Sequence, residues 1–158
     1  MPATATFRSI DSKNDISLED LKGKVVLVVN TASACGYTPQ YAALEKLWQR
    51  YRNRGLVVLG VPSNDFGAQE PGNEQEIQAF CTSRFAVSFP MTAKQTVVGG
   101  KAHAFYRWVT KEAGEAAAPR WNFHKILIGK DGALAGVFPS KVDPLSKELT
   151  DAIDAALA

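Results

Sequence analysis

Five aliphatic residues in succession, Val25-Val26-Leu27-Val28-Val29, constrain the fold more than any other feature of the chain. Such a run has no polar side to turn toward water, so residues 24–30 read as a strand buried on both faces. Residues 31–38 are a loop of small residues around Cys35-Gly36. Residues 39–54 then carry Tyr41, Leu44, Leu47, Trp48 and Tyr51 at helical spacing. Thr38 suits the N-cap, Pro39 the first helical position and Gly55 the stop. Residues 56–61 return to an aliphatic run. Two fully apolar strands with a helix between them require a parallel pair and a right-handed crossover.

The rest of the chain adds to that unit. Residues 1–23 are polar and weakly patterned, and residues 62–72 form a loop with almost nothing to bury. Asn73 with Glu76 makes a capping box for a helix over residues 73–84, whose Ile77, Phe80 and Cys81 share a face. A helix follows over residues 102–112, stopped near Gly114. Residues 121–128 read as a strand, Lys130-Asp131-Gly132 as a hairpin turn and residues 133–138 as the returning strand. Asp143-Pro144 opens a last helix with Leu145, Leu149, Ile153 and Leu157 four apart. The class is α/β, in the element order of a thioredoxin-like fold: a central mixed sheet flanked by helices, with an inserted helix carrying Cys81. An all-parallel, flavodoxin-like sheet is disfavoured by the Asp131-Gly132 hairpin. At 158 residues a single domain over residues 1–158 is expected.

Charge and cysteine usage narrow the partners. Lysine and arginine number 18 against 16 acids, scattered rather than clustered, so no basic stripe suggests nucleic acid. The longest apolar run is far below the ~20 residues that span a bilayer. The start, Met1 to Phe7, lacks the basic and apolar regions of a leader, and two cysteines make no disulfide framework. A cytoplasmic location without membrane association is expected. His103 and His124 form no metal-ligand spacing with the cysteines, so they read as surface or packing residues and no metal or cofactor is expected.

In open α/β sheets, working groups gather beyond the carboxyl ends of the parallel strands. The first of those strands leads to Cys35 and the second to the loop with Asn64 and Gln69, on the same edge. In a thioredoxin-like fold the segment Arg120-Trp121-Asn122, entering the next strand, lies against the cysteine loop. A thiol just ahead of a helix N-terminus gains thiolate character. Gln69, Trp121 and Asn122 offer N–H donors and no base near neutral pH, which suits stabilising a thiolate or a departing oxyanion. Thr38 stands where a dithiol reductase would carry its second cysteine, so simple thioredoxin-type reduction is not expected.

Three segments carry a family resemblance. Asn30-Thr31-Ala32-Ser33-Ala34-Cys35-Gly36-Tyr37-Thr38-Pro39-Gln40-Tyr41 closely resembles the peroxidatic motif of glutathione peroxidases. Val61-Pro62-Ser63-Asn64-Asp65-Phe66-Gly67-Ala68-Gln69-Glu70-Pro71-Gly72 resembles their second motif, and Arg120-Trp121-Asn122-Phe123-His124-Lys125 their third. The similarity runs from about Lys22 to the C-terminus. It implies that Cys35 is the peroxidatic residue, in the position of selenocysteine in the animal selenoenzymes, and that Gln69, Trp121 and Asn122 complete the catalytic tetrad. It also implies that Cys81 is the resolving cysteine of the non-selenium, thioredoxin-using branch. The chain departs from that pattern at Ser63, where a cysteine is common, and at Asp65, where glutamine is typical. Altered loop packing with the chemistry preserved is expected.

The resemblance implies a thiol peroxidase. A hydroperoxide oxidises Cys35 to a sulfenic acid, Cys81 closes a disulfide, and thioredoxin (or glutathione) reduces it. The short 113–120 linker resembles that of members lacking the insertion of the tetrameric enzymes, implying a monomer with an open cysteine edge. The Cys81 helix is expected to unwind in part, at modest cost, for the thiol to reach Cys35. Among rivals, a peroxiredoxin is excluded because Val28 and Ala32 stand where its proline and threonine would be. A peroxide sensor relaying oxidation to a client protein would use the same residues, and a structural or binding module is the third alternative.

Overall fold

The computed structural model describes residues 5–158, so residues 1–4 of the opening segment and of the expected single domain lie outside the described residues. Two short strands, β1 (Thr6–Arg8) and β2 (Asp15–Ser17), pair antiparallel as a separate hairpin. β3 (Val25–Thr31) leads through α1 (Gln40–Tyr51) to β4 (Leu56–Pro62), and α2 (Glu74–Phe85) and α3 (Ala104–Ala113) follow. β5 (Lys125–Ile128), β6 (Leu134–Phe138) and α4 (Lys147–Leu157) complete the chain.

β3 and β4 are parallel, in register from Val25 opposite Leu56 to Thr31 opposite Pro62. β5 runs antiparallel to β3 and β6 antiparallel to β5, giving the strand order β4-β3-β5-β6. Every residue of β3 is buried, and alternation along it shows why the run is apolar throughout. Val25, Leu27 and Val29 join the core built with Tyr41, Leu44 and Leu47 of α1 and Leu149 and Ile153 of α4. Val26 and Val28 join the opposite core with Phe105, Tyr106 and Val109 of α3. This is the thioredoxin-like arrangement that the element order predicts.

Four local readings change. The hairpin of residues 6–17 has only Phe7 buried within β1 and nothing fully buried in β2, too little periodicity to show in sequence. Helix α1 begins at Gln40 rather than Pro39, and the Thr38 hydroxyl caps nothing; it is spent inside the preceding loop. The expected strand over residues 121–128 starts only at Lys125, because Phe123 takes a left-handed φ of 65°. A left-handed aromatic residue breaks the strand and is unfavourable by about 1–3 kcal/mol unless its surroundings hold it. The last helix begins at Lys147 with Ser146 as its cap, while Asp143 folds back on the Leu145 amide at 2.8 Å.

The histidines are structural, as read from the sequence. His103 caps α3, accepting the Phe105 amide at 3.1 Å while its ring stacks on Phe7. His124 is buried with Nε2 3.0 Å from the Ala117 carbonyl, an arrangement that fixes the neutral ring with Nε2 protonated. Burial pulls its pKa from 6.5 down to about 4. The unfolded chain therefore binds a proton that the folded chain refuses between those values. The stability that the neutral ring confers is whole above about pH 6.5 and is lost as pH falls to about 4, a loss on the order of 3 kcal/mol. Urea unfolding at pH 7 and pH 4 measures it, and His124→Gln is expected to show a loss smaller by that amount.

Candidate active site

The loop after β3 is held by one side chain. The Thr38 hydroxyl accepts the Cys35 amide and donates to the Ala32 carbonyl, both at 2.9 Å. This staple folds residues 32–38 into a tight turn and leaves Cys35 nearly buried, at 8% exposure. The Tyr37 amide donates to Cys35 Sγ at 3.3 Å. The sulfur thus lies just ahead of the N-terminus of α1 with one backbone N–H aimed at it.

The loop after β4 reaches the same place. It turns through left-handed residues Gly67 (φ 66°) and Ala68 (φ 52°). Gln69 and Glu70 are then lashed to the cysteine loop: the Ala34 amide donates to the Gln69 carbonyl at 3.1 Å, and Ser33 Oγ to Glu70 Oε2 at 3.0 Å. Glu70 is buried, and burial raises its carboxyl above the ordinary range against the opposing Ser33 hydrogen bond.

Asn30, at the penultimate position of β3, holds the third segment from both ends. Its Nδ2 donates to the Trp121 carbonyl at 3.0 Å, and its own carbonyl accepts the Phe123 amide at 2.6 Å. Asn122, between them, is wholly buried and donates through Nδ2 to Gln69 Oε1 at 2.9 Å. Trp121 and Tyr37, each 37% exposed, are the exposed large hydrophobic residues of the described chain. They line a groove of about 640 Å³ together with Arg120, Val137, Pro139 and Ser140.

The structure thus brings Gln69 and Asn122 into contact, joins the Gln69 segment to the cysteine loop and the Trp121–Phe123 segment to Asn30 at the end of β3, and sets the Trp121 ring against Phe66 and across the groove from Tyr37. Cys81 is placed differently. Both cysteines are free thiols in one core, but Cys81 opens on a second cavity, of about 360 Å³, between α2 and the N-terminal segment. Burial pushes its thiol up to about 11, with the Tyr41 hydroxyl opposing and the Glu70 charge adding to the rise. Helix α2 is also better anchored than its sequence suggests. Beyond the expected Asn73–Glu76 capping box, Glu74 accepts the Lys94 amide at 3.0 Å, and Phe85 packs on Tyr41 with centroids 5.5 Å apart. At the two departures from the family pattern, Asp65 Oδ2 accepts the Val97 amide at 2.7 Å, and Ser63 Oγ accepts the Asp65 amide at 3.3 Å.

Residues that sequence reasoning passed over are Ser33, Thr38 as a loop staple, Glu70, and Asn30 as a clamp. A buried asparagine closing an otherwise aliphatic strand was the available signal for Asn30.

A model of the glutathione peroxidase family matches residues 4–110 of the chain. The chain belongs to the glutathione peroxidase family. It is 45% identical over 135 residues to the "Glutathione peroxidase" of Lactococcus lactis, a match covering 84% of this chain and 86% of that one. It is 44% identical to "Glutathione peroxidase-like peroxiredoxin gpx1" of Schizosaccharomyces pombe, over 83% of this chain and 84% of the other. Among solved structures, that described as "Trgpx in apo form" superimposes with a TM-score of 0.75 at 37% identity, over 96% of this chain and 92% of that chain. This glutathione peroxidase relative is a peroxidase, reducing peroxide at the expense of a thiol reductant. Among the described residues no helix is long and apolar enough to cross a membrane.

Proposed function

We propose that Cys35 is the peroxidatic residue of this enzyme and that Gln69, Trp121 and Asn122 are its partners in catalysis. The observation that carries this reading is the Asn122–Gln69 hydrogen bond beside the cysteine loop. Because Gln69 Oε1 is engaged as an acceptor, the Gln69 amide hydrogens are left to donate elsewhere. Asn122 Nδ2 reaches Gln69 and, at 3.5 Å, the Phe66 carbonyl, so Asn122 orients Gln69 rather than meeting the peroxide itself.

The Cys35 thiolate attacks the terminal oxygen of a hydroperoxide. The O–O bond breaks, the sulfur is oxidised to a sulfenic acid, and the alkoxide or hydroxide leaves with a proton as alcohol or water. Donors fixed before the reaction stabilise the charge on the departing oxygen. The Tyr37–Trp121 groove takes the organic part of substrates larger than hydrogen peroxide. Cys81 then displaces the sulfenic hydroxyl as water to form a Cys35–Cys81 disulfide, which thioredoxin reduces by exchange. A monomer acting in the cytoplasm suits this scheme, since the exposed Trp121 edge stays open to a protein reductant.

The test is NADPH oxidation with thioredoxin, thioredoxin reductase and cumene hydroperoxide, beside a glutathione and glutathione reductase control. Turnover with thioredoxin and little with glutathione is the expected result. Peroxide-dependent oxidation of Cys35 without turnover in either system would replace the enzyme cycle with a sensor relaying oxidation to a client.

A further inference from the structure

Lys125 stands in an aliphatic strand, wholly buried at the first position of β5, and among the described residues no carboxylate pairs with it. Its ammonium donates to Gln40 Oε1 at 2.6 Å, to the Ser140 carbonyl at 2.9 Å and to the Val142 carbonyl at 2.5 Å. Three hydrogens meet three oxygens, so the group is fully satisfied. Gln40 Nε2 adds a fourth bond, to the same Ser140 carbonyl, at 2.8 Å. The first residue of α1, the first residue of β5 and the turn after β6 are thereby tied at one point. Within that turn the Val142 amide donates to the Pro139 carbonyl at 3.0 Å and the Val142 side chain is buried in the core, while Pro139 and Lys141, on the groove side, face solvent.

The turn has a position that matters. Pro139, Ser140 and Lys141 line the groove that Tyr37 and Trp121 also line. Burying an ammonium ion is costly, and a methionine would fill the same space without that cost. What the lysine provides and a methionine would not is a directional hold on two carbonyls of an exposed turn.

We infer that Lys125, with Gln40, is a specificity-determining positioning residue: its hydrogen bonds fix the 139–142 turn as a wall of the groove and so set the rate with bulky organic hydroperoxides. Hydrogen peroxide needs no wall, because both of its oxygens fit at the sulfur. A hydroperoxide with an aromatic or long alkyl group rests its apolar part on the wall and loses that contact when the turn is released. The inference rests on the reading of the groove as the hydroperoxide site.

The experiment compares second-order rate constants of Cys35 oxidation by hydrogen peroxide and cumene hydroperoxide, in the unsubstituted protein, Lys125→Met and Gln40→Ala. Lys125→Met is expected to lose about tenfold with cumene hydroperoxide and less than about threefold with hydrogen peroxide, with Gln40→Ala shifting the ratio the same way by about threefold. Amide exchange at residues 140–142 should rise in both variants. Equal losses with the two peroxides, or an unchanged ratio, overturn the inference. Should Lys125→Met not fold, Gln40→Ala decides alone on the same ratio. Failure of the unsubstituted protein to react with either peroxide sinks the reading of the groove and the clamp with it, and is recognised because it needs no variant.

Discussion

Cys35→Ser is expected to lower peroxide consumption on the order of a thousandfold or more. A serine hydroxyl in the same turn keeps the Tyr37 amide and the Thr38 staple but has no accessible anion near neutral pH. The other thiol cannot take over. With Cys81 held at about 11, roughly one molecule in ten thousand carries its thiolate at pH 7, and its cavity lies apart from the Gln69–Asn122 pair. Stopped-flow consumption of hydrogen peroxide by the two proteins measures the difference. A variant retaining a tenth of the rate would move the peroxidatic chemistry away from Cys35.

Cys81→Ser is expected to separate the two halves of the cycle. Turnover with thioredoxin should fall about a hundredfold, while the first equivalent of peroxide still oxidises Cys35 within about threefold of the normal rate. The sulfenic acid, having lost its partner, should then accumulate and be captured by dimedone. In the unsubstituted protein, disulfide closure should quicken about tenfold per pH unit, since pH 7 to 9 lies below the raised thiol pKa and each step exposes more thiolate. Ile77 and Cys81 are the buried residues of α2, and closure is expected to cost the helix that packing, so amide exchange over Glu74–Phe85 should rise on oxidation. A Cys81→Ser protein that turns over normally with thioredoxin would remove Cys81 from the cycle.

The parallel pair, the crossover helix and the closing hairpin were legible because strands buried on both faces and an amphipathic helix leave strong periodic signals. The cysteine loop, the Gln69 loop and the Trp121 segment were legible from topology and from the family motifs. The hairpin of residues 6–17 was not, because what holds it comes from far along the chain: Phe7 stacks on His103, the Ile10 amide donates to the Met91 carbonyl and the Ala93 amide to the Arg8 carbonyl. Nor was the break at Phe123, since a left-handed aromatic is held by Asn30, a tertiary contact with no local signature. The anchorage of α2 was read too lightly for the same reason: its bonds to Lys94 and its packing on Tyr41 come from elsewhere in the chain. Lys125 was visible as a lysine beside an aliphatic run, but its acceptors are a side chain 85 residues earlier and carbonyls of a later turn.

The antiparallel pairing of β3 with β5 has a consequence for biosynthesis. Cys35 leaves the ribosome well before Asn30 can meet Trp121 or Gln69 can meet Asn122, and at 5–20 residues per second that interval is on the order of ten seconds. Through it the thiol sits in a chain that lacks the Trp121–Asn30 and Asn122–Gln69 contacts. On the proposed roles of Gln69, Trp121 and Asn122, the fast reaction of Cys35 with oxidant is expected only after β5 docks, once the most exposed stage of synthesis has passed.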